Sequence, residues 1–194
     1  MDADLACAHL VPNPKVRHTL VRDGKLANVF IYVESRDALS GYTFEMPAQE
    51  AVLEHKKCDY SPRLLGIRTG QPLKILNSDP TAHNTHPTPK SNREWNQSQP
   101  EGGAPIVKSF DRPETFIPFK CNQHPWEKAW IGVFDHPFFA ISARDGSYKI
   151  EGLPPGDYKI IAWHEVLGLK EVETTLVPYQ AKVLDFSFDP EGRP

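Results

Sequence analysis

At 194 residues the chain can form one large domain or two small ones with proper cores. A net charge of −3, with no long basic run, argues against nucleic acid as a partner. No apolar stretch approaches the roughly 20 residues that a membrane span needs, and "MDADLACAHLVPNPK" lacks the pattern of a signal peptide. That leaves a cytosolic protein, or a mature exported one without its signal.

The 19 prolines and 12 glycines punctuate the chain closely. No long segment shows a helical apolar period. In chain order the short alternating runs are "NVFIYVE", "PLKILN", "PIVKSF", "TFIPFK", "AWIGVF", "GSYKIEGL", "GDYKIIAW" and "KVLDFSF", each bounded by turn residues. The pattern predicts an all-β sandwich or barrel. Residues 46–55, "MPAQEAVLEH", are the one candidate helix, and the start of a strand fits them as well. Residues 87–105 are too polar and too rich in proline and glycine for a core, and Trp95 is expected to pin this loop down.

The chain has three cysteines, Cys7, Cys58 and Cys121. In an oxidising compartment Cys7 and Cys58 would bond and clip the proline-rich N-terminal tail to the body. In the cytosol they would be two separate thiols.

In "LKILNSDPTAHNTHP" a strand ends at Asn77, a turn passes through Asp79 and Pro80, and His83 follows. Much later "TFIPFKC" ends a strand at Cys121, and His124 comes three positions on. One imidazole from an early strand, with a thiolate and a second imidazole from a later loop, makes a two-histidine, one-cysteine set. Copper takes such a set in trigonal electron-transfer sites with a weak axial ligand. Zinc could use it too, although structural zinc usually shows four evident ligands. The bland reading is core and surface residues with no metal.

The spacing N-x5-H-N followed by C-x2-H-P-[aromatic] resembles the cupredoxins, most closely their amicyanin branch, which reads N-x5-H-N-x-H and then C-x-x-H-P-F-M. The matching residues are Asn77, His83, Asn84 and His86, then Cys121, His124, Pro125 and Trp126. "CDYSPRLLGIRTGQPLKILNSD" is also similar to the entry strands of that family, so the resemblance covers about residues 50–135. It implies a Greek-key β-sandwich holding one copper ion, Cu(I)/Cu(II), on His83, Cys121 and His124. It also implies that Asn84 ties the two ligand loops together and that Pro125 and Trp126 form an apolar docking collar around the exposed edge of His124. Glu127 stands where the family carries an axial methionine, and neither Met1 nor Met46 sits where that ligand would come from. Axial ligation by Glu127 would favour Cu(II) and resemble the red copper of nitrosocyanin; the alternative is that Glu127 turns to solvent. His86 reads as a structural histidine, with a fourth nitrogen ligand as the alternative.

Residues 140–165, "AISARDGSYKIEGLPPGDYKIIAWHE", resemble carboxypeptidase regulatory-like (transthyretin-like) β-sandwich domains. "VRHTLVRDGKLANVFIYV", residues 16–33, is similar to the opening of that family. The implied organisation is a copper domain, 46–135, inserted into a smaller sandwich of residues 1–45 and 136–194. The alternative is a tandem of 1–135 and 136–194. Under insertion a Cys7–Cys58 bond would staple the two domains. His164 and Glu165 read as an exposed strand-end pair, and His9, His18, His55 and His136 show no partner spacing.

These residues lead to one function expectation, a non-catalytic periplasmic or secreted copper protein that passes single electrons. Its partner would be a redox protein such as a cytochrome or dehydrogenase. Two alternatives stand beside it: a red copper site with small-molecule reactivity, and copper storage or delivery.

Overall fold

The computed structural model describes residues 4–12, 18–34 and 37–189. Met1 and the first two residues of the 16–33 motif lie outside them. The described chain is nearly all β. One short helix, α1 (Leu5–Leu10), precedes the strands. In the first half these are β1 (Val21–Arg22), β2 (Lys25–Leu26), β3 (Phe30–Glu34), β4 (Ala51–His55), β5 (Tyr60–Ser61), β6 (Leu64–Arg68), β7 (Leu73–Asn77) and β8 (His83–Pro87). Then follow β9 (Gln97–Gln99), β10 (Ile106–Lys108), β11 (Glu114–Lys120), β12 (Lys128–Phe134), β13 (Phe139–Ile141), β14 (Gly156–His164) and β15 (Gly168–Leu176). Residues 46–55 form no helix: alternation places Ala51, Leu53 and His55 on one face, and the segment pairs as strand β4.

The chain divides into two compact units, Met1–Val16 with Glu45–Pro137, and Arg17–Phe44 with Phe138–Pro194. The expected division gave the N-terminal tail to the second unit. It belongs to the first, because Cys7 is bonded to Cys58 there. The disulfide therefore lies within one unit and does not staple two.

The first unit is a two-sheet sandwich. One sheet runs β10-β7-β4-β5 and the other β6-β12-β11-β8-β9. Within them β4 runs parallel to β7 and β12 parallel to β6. Leu53, Leu73, Ile75 and Ile106 from the first sheet pack against Ile67, Ile117, Phe119, Ile131 and Val133 from the second. Burial of such side chains contributes about 1.5–3 kcal/mol each. Trp95 packs on this core, edge-on to Phe119 at 6.4 Å. The supposed loop of residues 87–105 also contributes β9, which pairs with β8.

The second unit has one four-stranded sheet, β13-β3-β14-β15, and the β1–β2 hairpin. Asp23 and Gly24, at φ 51° and 71°, give that hairpin the left-handed pair of a type I′ turn. Two of the expected strands, "GSYKIEGL" and "KVLDFSF", join no sheet. Gly152 and the Pro154–Pro155 pair interrupt the first run, since proline has no N–H to give a ladder. Both segments instead lay Tyr148, Ile150 and Leu153, then Leu184, Phe186 and Phe188, against the core.

Candidate metal centre

Strand parity directs the site residues inward. A register shift in β11, where Phe116 takes φ 59°, sets Ile117 and Phe119 toward the core. Cys121, two positions beyond, continues that face and is buried. Glu127 precedes Ala129, Ile131 and Val133 at the same two-residue interval, so β12 carries its carboxyl into the interior. Asn77 shapes the turn before β8: its amide donates to the Thr81 carbonyl at 2.8 Å, and its oxygen accepts from the Asp79 N–H at 3.0 Å. His83, at the start of β8, then faces inward with Thr85.

Four donor atoms converge: Nδ1 of His83, Nδ1 of His124, Sγ of Cys121 and Oε1 of Glu127, all within 4.8 Å of one another. The two nitrogens are 2.9 Å apart. Cys121 Sγ lies 4.0 Å from His83 Nδ1 and 3.6 Å from His124 Nδ1. Glu127 Oε1 lies 2.8 Å from His83 Nδ1 and 3.3 Å from His124 Nδ1. A tetrahedral ion with ordinary metal–nitrogen and metal–sulfur bonds separates two nitrogens by about 3.3 Å and nitrogen from sulfur by about 3.6 Å. The observed edges, 2.9 Å between nitrogens and 3.6 and 4.0 Å from nitrogen to sulfur, lie within about 0.4 Å of these values. Glu127 Oε1 is buried and has no hydrogen-bond partner, which leaves it available to an ion among the other donors. A thiolate, two imidazoles and a carboxylate suit copper or zinc.

Each histidine of the set has a carboxylate at its far nitrogen. Asp79 Oδ2 stands 3.2 Å from His83 Nε2, and Asp4 Oδ2 stands 3.0 Å from His124 Nε2. The Asp4 hydrogen bond fixes the His124 tautomer that leaves Nδ1 free for a metal, whereas Asp79 meets His83 as a charge partner outside hydrogen-bond geometry. Asp79 also accepts the N–H groups of Lys57 at 2.6 Å and Cys58 at 2.7 Å. Those two residues hold left-handed φ of 58° and 53° with no glycine to ease the turn, a conformation that costs about 1–2 kcal/mol per residue. The aspartate and the disulfide hold them there.

The charges follow from burial and contact. Burial pulls His83 toward neutrality, but Asp79, Cys121 and Glu127 outweigh it and raise its pKa to about 11. Burial pushes the Glu127 carboxyl up, and the hydrogen bond from His55 with the nearby His83 imidazole more than reverses this. His55 is lowered, because its desolvation exceeds the pull of Glu127. Asp79 ends below the usual carboxylate range: burial raises it, while His83 and the N–H groups of Cys58 and Lys57 lower it further.

Several expectations change. His124 is buried behind Asp4, so Pro125 and Trp126 do not ring an exposed histidine edge; the Trp126 ring lies tilted against His124 at 5.2 Å and donates its N–H to the Cys58 carbonyl at 2.9 Å. Glu127 is fully buried and does not turn to solvent. His86 stands outside the donor set, between Asn122 Oδ1 at 3.1 Å and Glu94 Oε1 at 2.7 Å. Asn84 Oδ1 accepts from the N–H groups of Asn122 at 2.7 Å and Gln123 at 3.3 Å, which ties β8 to the Cys121 loop. Met46 lies outside the donor set and is half exposed.

Two of the histidines read as ordinary are otherwise. His55, which shows no partner spacing in sequence, bonds Glu127 Oε2 through Nδ1 at 2.8 Å. His164 is buried, and its Nδ1 accepts the N–H groups of Val166 and Leu167, each at 3.2 Å. His18 lies 4.0 Å from Glu165, and His136 packs on Phe134 at 5.6 Å. The inward parity of "AVLEH" is the signal that marks His55. Asp4 carries no such signal.

No protein-family model matches the chain, and no curated protein matches it. Solved structures similar to it include a Cu-containing nitrite reductase (NirK) from Thermus scotoductus SA-01, at 17% identity and TM-score 0.41 over 53% of this chain and 27% of that one. Amicyanin from Paracoccus versutus is 18% identical, with TM-score 0.39 over 53% of this chain and 96% of its own. A novel purple cupredoxin from Nitrosopumilus maritimus is 20% identical, with TM-score 0.37 over 43% of this chain and 99% of its own. The chain thus spans about a quarter of the length of the nitrite reductase.

Proposed function

We propose that the first unit is a mononuclear copper centre built on His83, Cys121, His124 and Glu127, and that the protein passes single electrons. The observation that carries this reading is the convergence of one sulfur, two imidazole nitrogens and one carboxylate oxygen in a buried space. Bound there, copper would supply one-electron chemistry between Cu(II) and Cu(I). The chain's own part is to hold Nδ1 of His124 bare through Asp4, to set Asp79 against His83, to aim Glu127 through His55, and to keep water out. Donors held so firmly change little between oxidation states, which suits electron transfer to a redox protein such as a cytochrome or dehydrogenase. Burial of all four donors speaks against storage or delivery, which needs labile, exposed ligation.

A second reading, a red copper site with small-molecule reactivity, is favoured by the placement of Glu127 in the donor set. A carboxylate is harder than a thioether and favours the oxidised ion. The disulfide supports a periplasmic or secreted location. We read the first unit as inserted in a carboxypeptidase regulatory-like domain, because Glu45–Pro137 falls between the two segments of the second unit.

The test is a titration of metal-free protein with Cu(II) and Zn(II), followed by visible absorption and electron paramagnetic resonance. One equivalent of copper should bind and develop a thiolate charge-transfer band that Cys121→Ser abolishes. An intense long-wavelength band marks a blue site, and a dominant band toward the violet marks carboxylate ligation. Tight zinc binding with no coloured copper form sinks the proposal.

A further inference from the structure

The outer edges of both site histidines lead to one disulfide. Cys7 gives its N–H to Asp4 Oδ1 at 2.9 Å, and Asp4 Oδ2 meets His124 Nε2 at 3.0 Å. Cys58 gives its N–H to Asp79 Oδ2 at 2.7 Å, and that oxygen lies 3.2 Å from His83 Nε2. Cys7 and Cys58 are themselves bonded and fully buried. Thr81, in the turn that leads to His83, donates its hydroxyl to Asp4 Oδ2 at 3.2 Å. Trp126 closes the remaining side, with its ring near His124 and its N–H on the Cys58 carbonyl. Both halves of the disulfide thus hold, through one backbone N–H each, the carboxylate that stands against Nε2 of one histidine.

We infer that Asp4 is a positioning residue for His124, and that α1, latched by Cys7–Cys58, is a built-in cover over the histidine edge of the centre. The inference rests on the copper reading for its metal and on geometry alone for its positioning role. Asp4 takes the proton of His124 Nε2–H as a hydrogen bond and so leaves Nδ1 bare toward the other donors. Without Asp4 the imidazole is free to turn or to change tautomer, and a partly charged surface opens beside the set. The cover also determines how the centre is approached. With the N-terminal segment seated, the buried His124 edge would offer no path by which a partner or a small anion could approach a metal held there.

The closing experiment uses the full chain with Asp4→Asn, Asp4→Ala and the double variant Cys7→Ser/Cys58→Ser. Asparagine keeps the cap of α1, because it caps helices as well as aspartate does, so this variant separates the carboxylate on His124 from the folding of the helix. Imidazole nitrogen resonance signals of the metal-free protein report the His124 tautomer. Transfer of Cu(I) from the loaded protein to bicinchoninate reports the cover. We expect wild-type His124 to be held as the Nε2–H tautomer, with a mixture in Asp4→Ala. Copper transfer should quicken about 10-fold or more in Asp4→Ala and in the double variant, and by less in Asp4→Asn. If the tautomer shifts but no variant binds copper, the positioning role stands and the copper reading falls. An unshifted tautomer in both Asp4 variants overturns the positioning role, even where copper leaves faster. Transfer rates within twofold of wild type in all variants overturn the cover.

Discussion

His55 and Glu127, 72 residues apart, share a fully buried hydrogen bond of 2.8 Å between Nδ1 and Oε2. The other nitrogen of His55 meets the Thr85 hydroxyl at 3.0 Å, and its ring stacks on His83 at 4.5 Å and 10°. His55 therefore decides which oxygen of Glu127 faces the donor set. A buried carboxylate with no such partner would be strongly unfavourable.

Replacing Glu127 with methionine should shift the copper spectrum toward a long-wavelength blue band and raise the reduction potential, since a neutral soft ligand favours Cu(I). The same change strands the His55 N–H and lowers stability by about 1–3 kcal/mol. Absorption spectroscopy and voltammetry check the first point, and urea unfolding the second. An unchanged spectrum would mean that Glu127 is not a ligand.

His55→Phe keeps the ring and removes its bond to Glu127. Breaking a buried pair from one side costs about 3–5 kcal/mol, and the loss of an outer partner weakens metal binding by about 10–100-fold. Metal-free denaturation curves and copper competition titrations should show both. If the two values match those of wild type, Glu127 is oriented by something else.

Metal uptake should release protons. With a pKa near 11 in the metal-free protein, His83 is protonated at neutral pH and must lose that proton to offer Nδ1. Apparent affinity should therefore rise about tenfold per pH unit below 11 from this group alone. Calorimetry in two buffers of different ionisation enthalpy counts the protons, and a count of zero refutes the assignment.

Acid stability of the metal-free protein has the opposite origin. The N–H of Cys7 and the bond to His124 bring Asp4 from 3.8 down to about 2. Its contribution is complete above 3.8 and is lost as pH falls through about 2. Asp79 and Glu127 are lowered as well and add in the same direction. His83 runs the other way: its share is full below 6.5 and fades as pH climbs toward 11. Asp79→Asn should flatten the acid limb of a stability-against-pH curve, and an unaltered limb counts against the network.

Asn84→Ala should release the Cys121 loop. Two N–H groups, of the exposed residues Asn122 and Gln123, lose their acceptor, at a cost of about 0.5–1.5 kcal/mol for each bond. Hydrogen exchange at those amides should quicken while the β14–β15 amides keep wild-type rates. Equal quickening in both places would point to global destabilisation.

Much of the core was legible because strand parity is strict. "PLKILN" alternates, "AWIGVF" is apolar throughout with Ala129, Ile131 and Val133 in the core, and both pair as strands. The same parity, carried two residues upstream of Ala129, turns Glu127 inward, and in "AVLEH" it turns His55 inward. What parity cannot supply is the partner, because His55 and Glu127 meet across two sheets. His124 was expected at the surface because a local motif holds no record of a distant tail. Asp4 reaches it only through a helix of six residues and a disulfide whose cysteines are 51 positions apart. The expected strands "GSYKIEGL" and "KVLDFSF" show the reverse failure. Their alternation is real and buries side chains, but no neighbouring backbone forms a ladder with them.

The bond between Asp4 and His124 spans 120 residues of chain. During synthesis the aspartate emerges before any of the four donors, yet it can settle only after the histidine has been made and folded. A segment made before the donors is thus seated after them. Oxidation of Cys7 and Cys58 fastens that segment, so its timing bears on when a metal could enter. A cell that oxidises Cys7 and Cys58 first would seal an empty centre and slow its loading, whereas one that delivers metal first would lock it in.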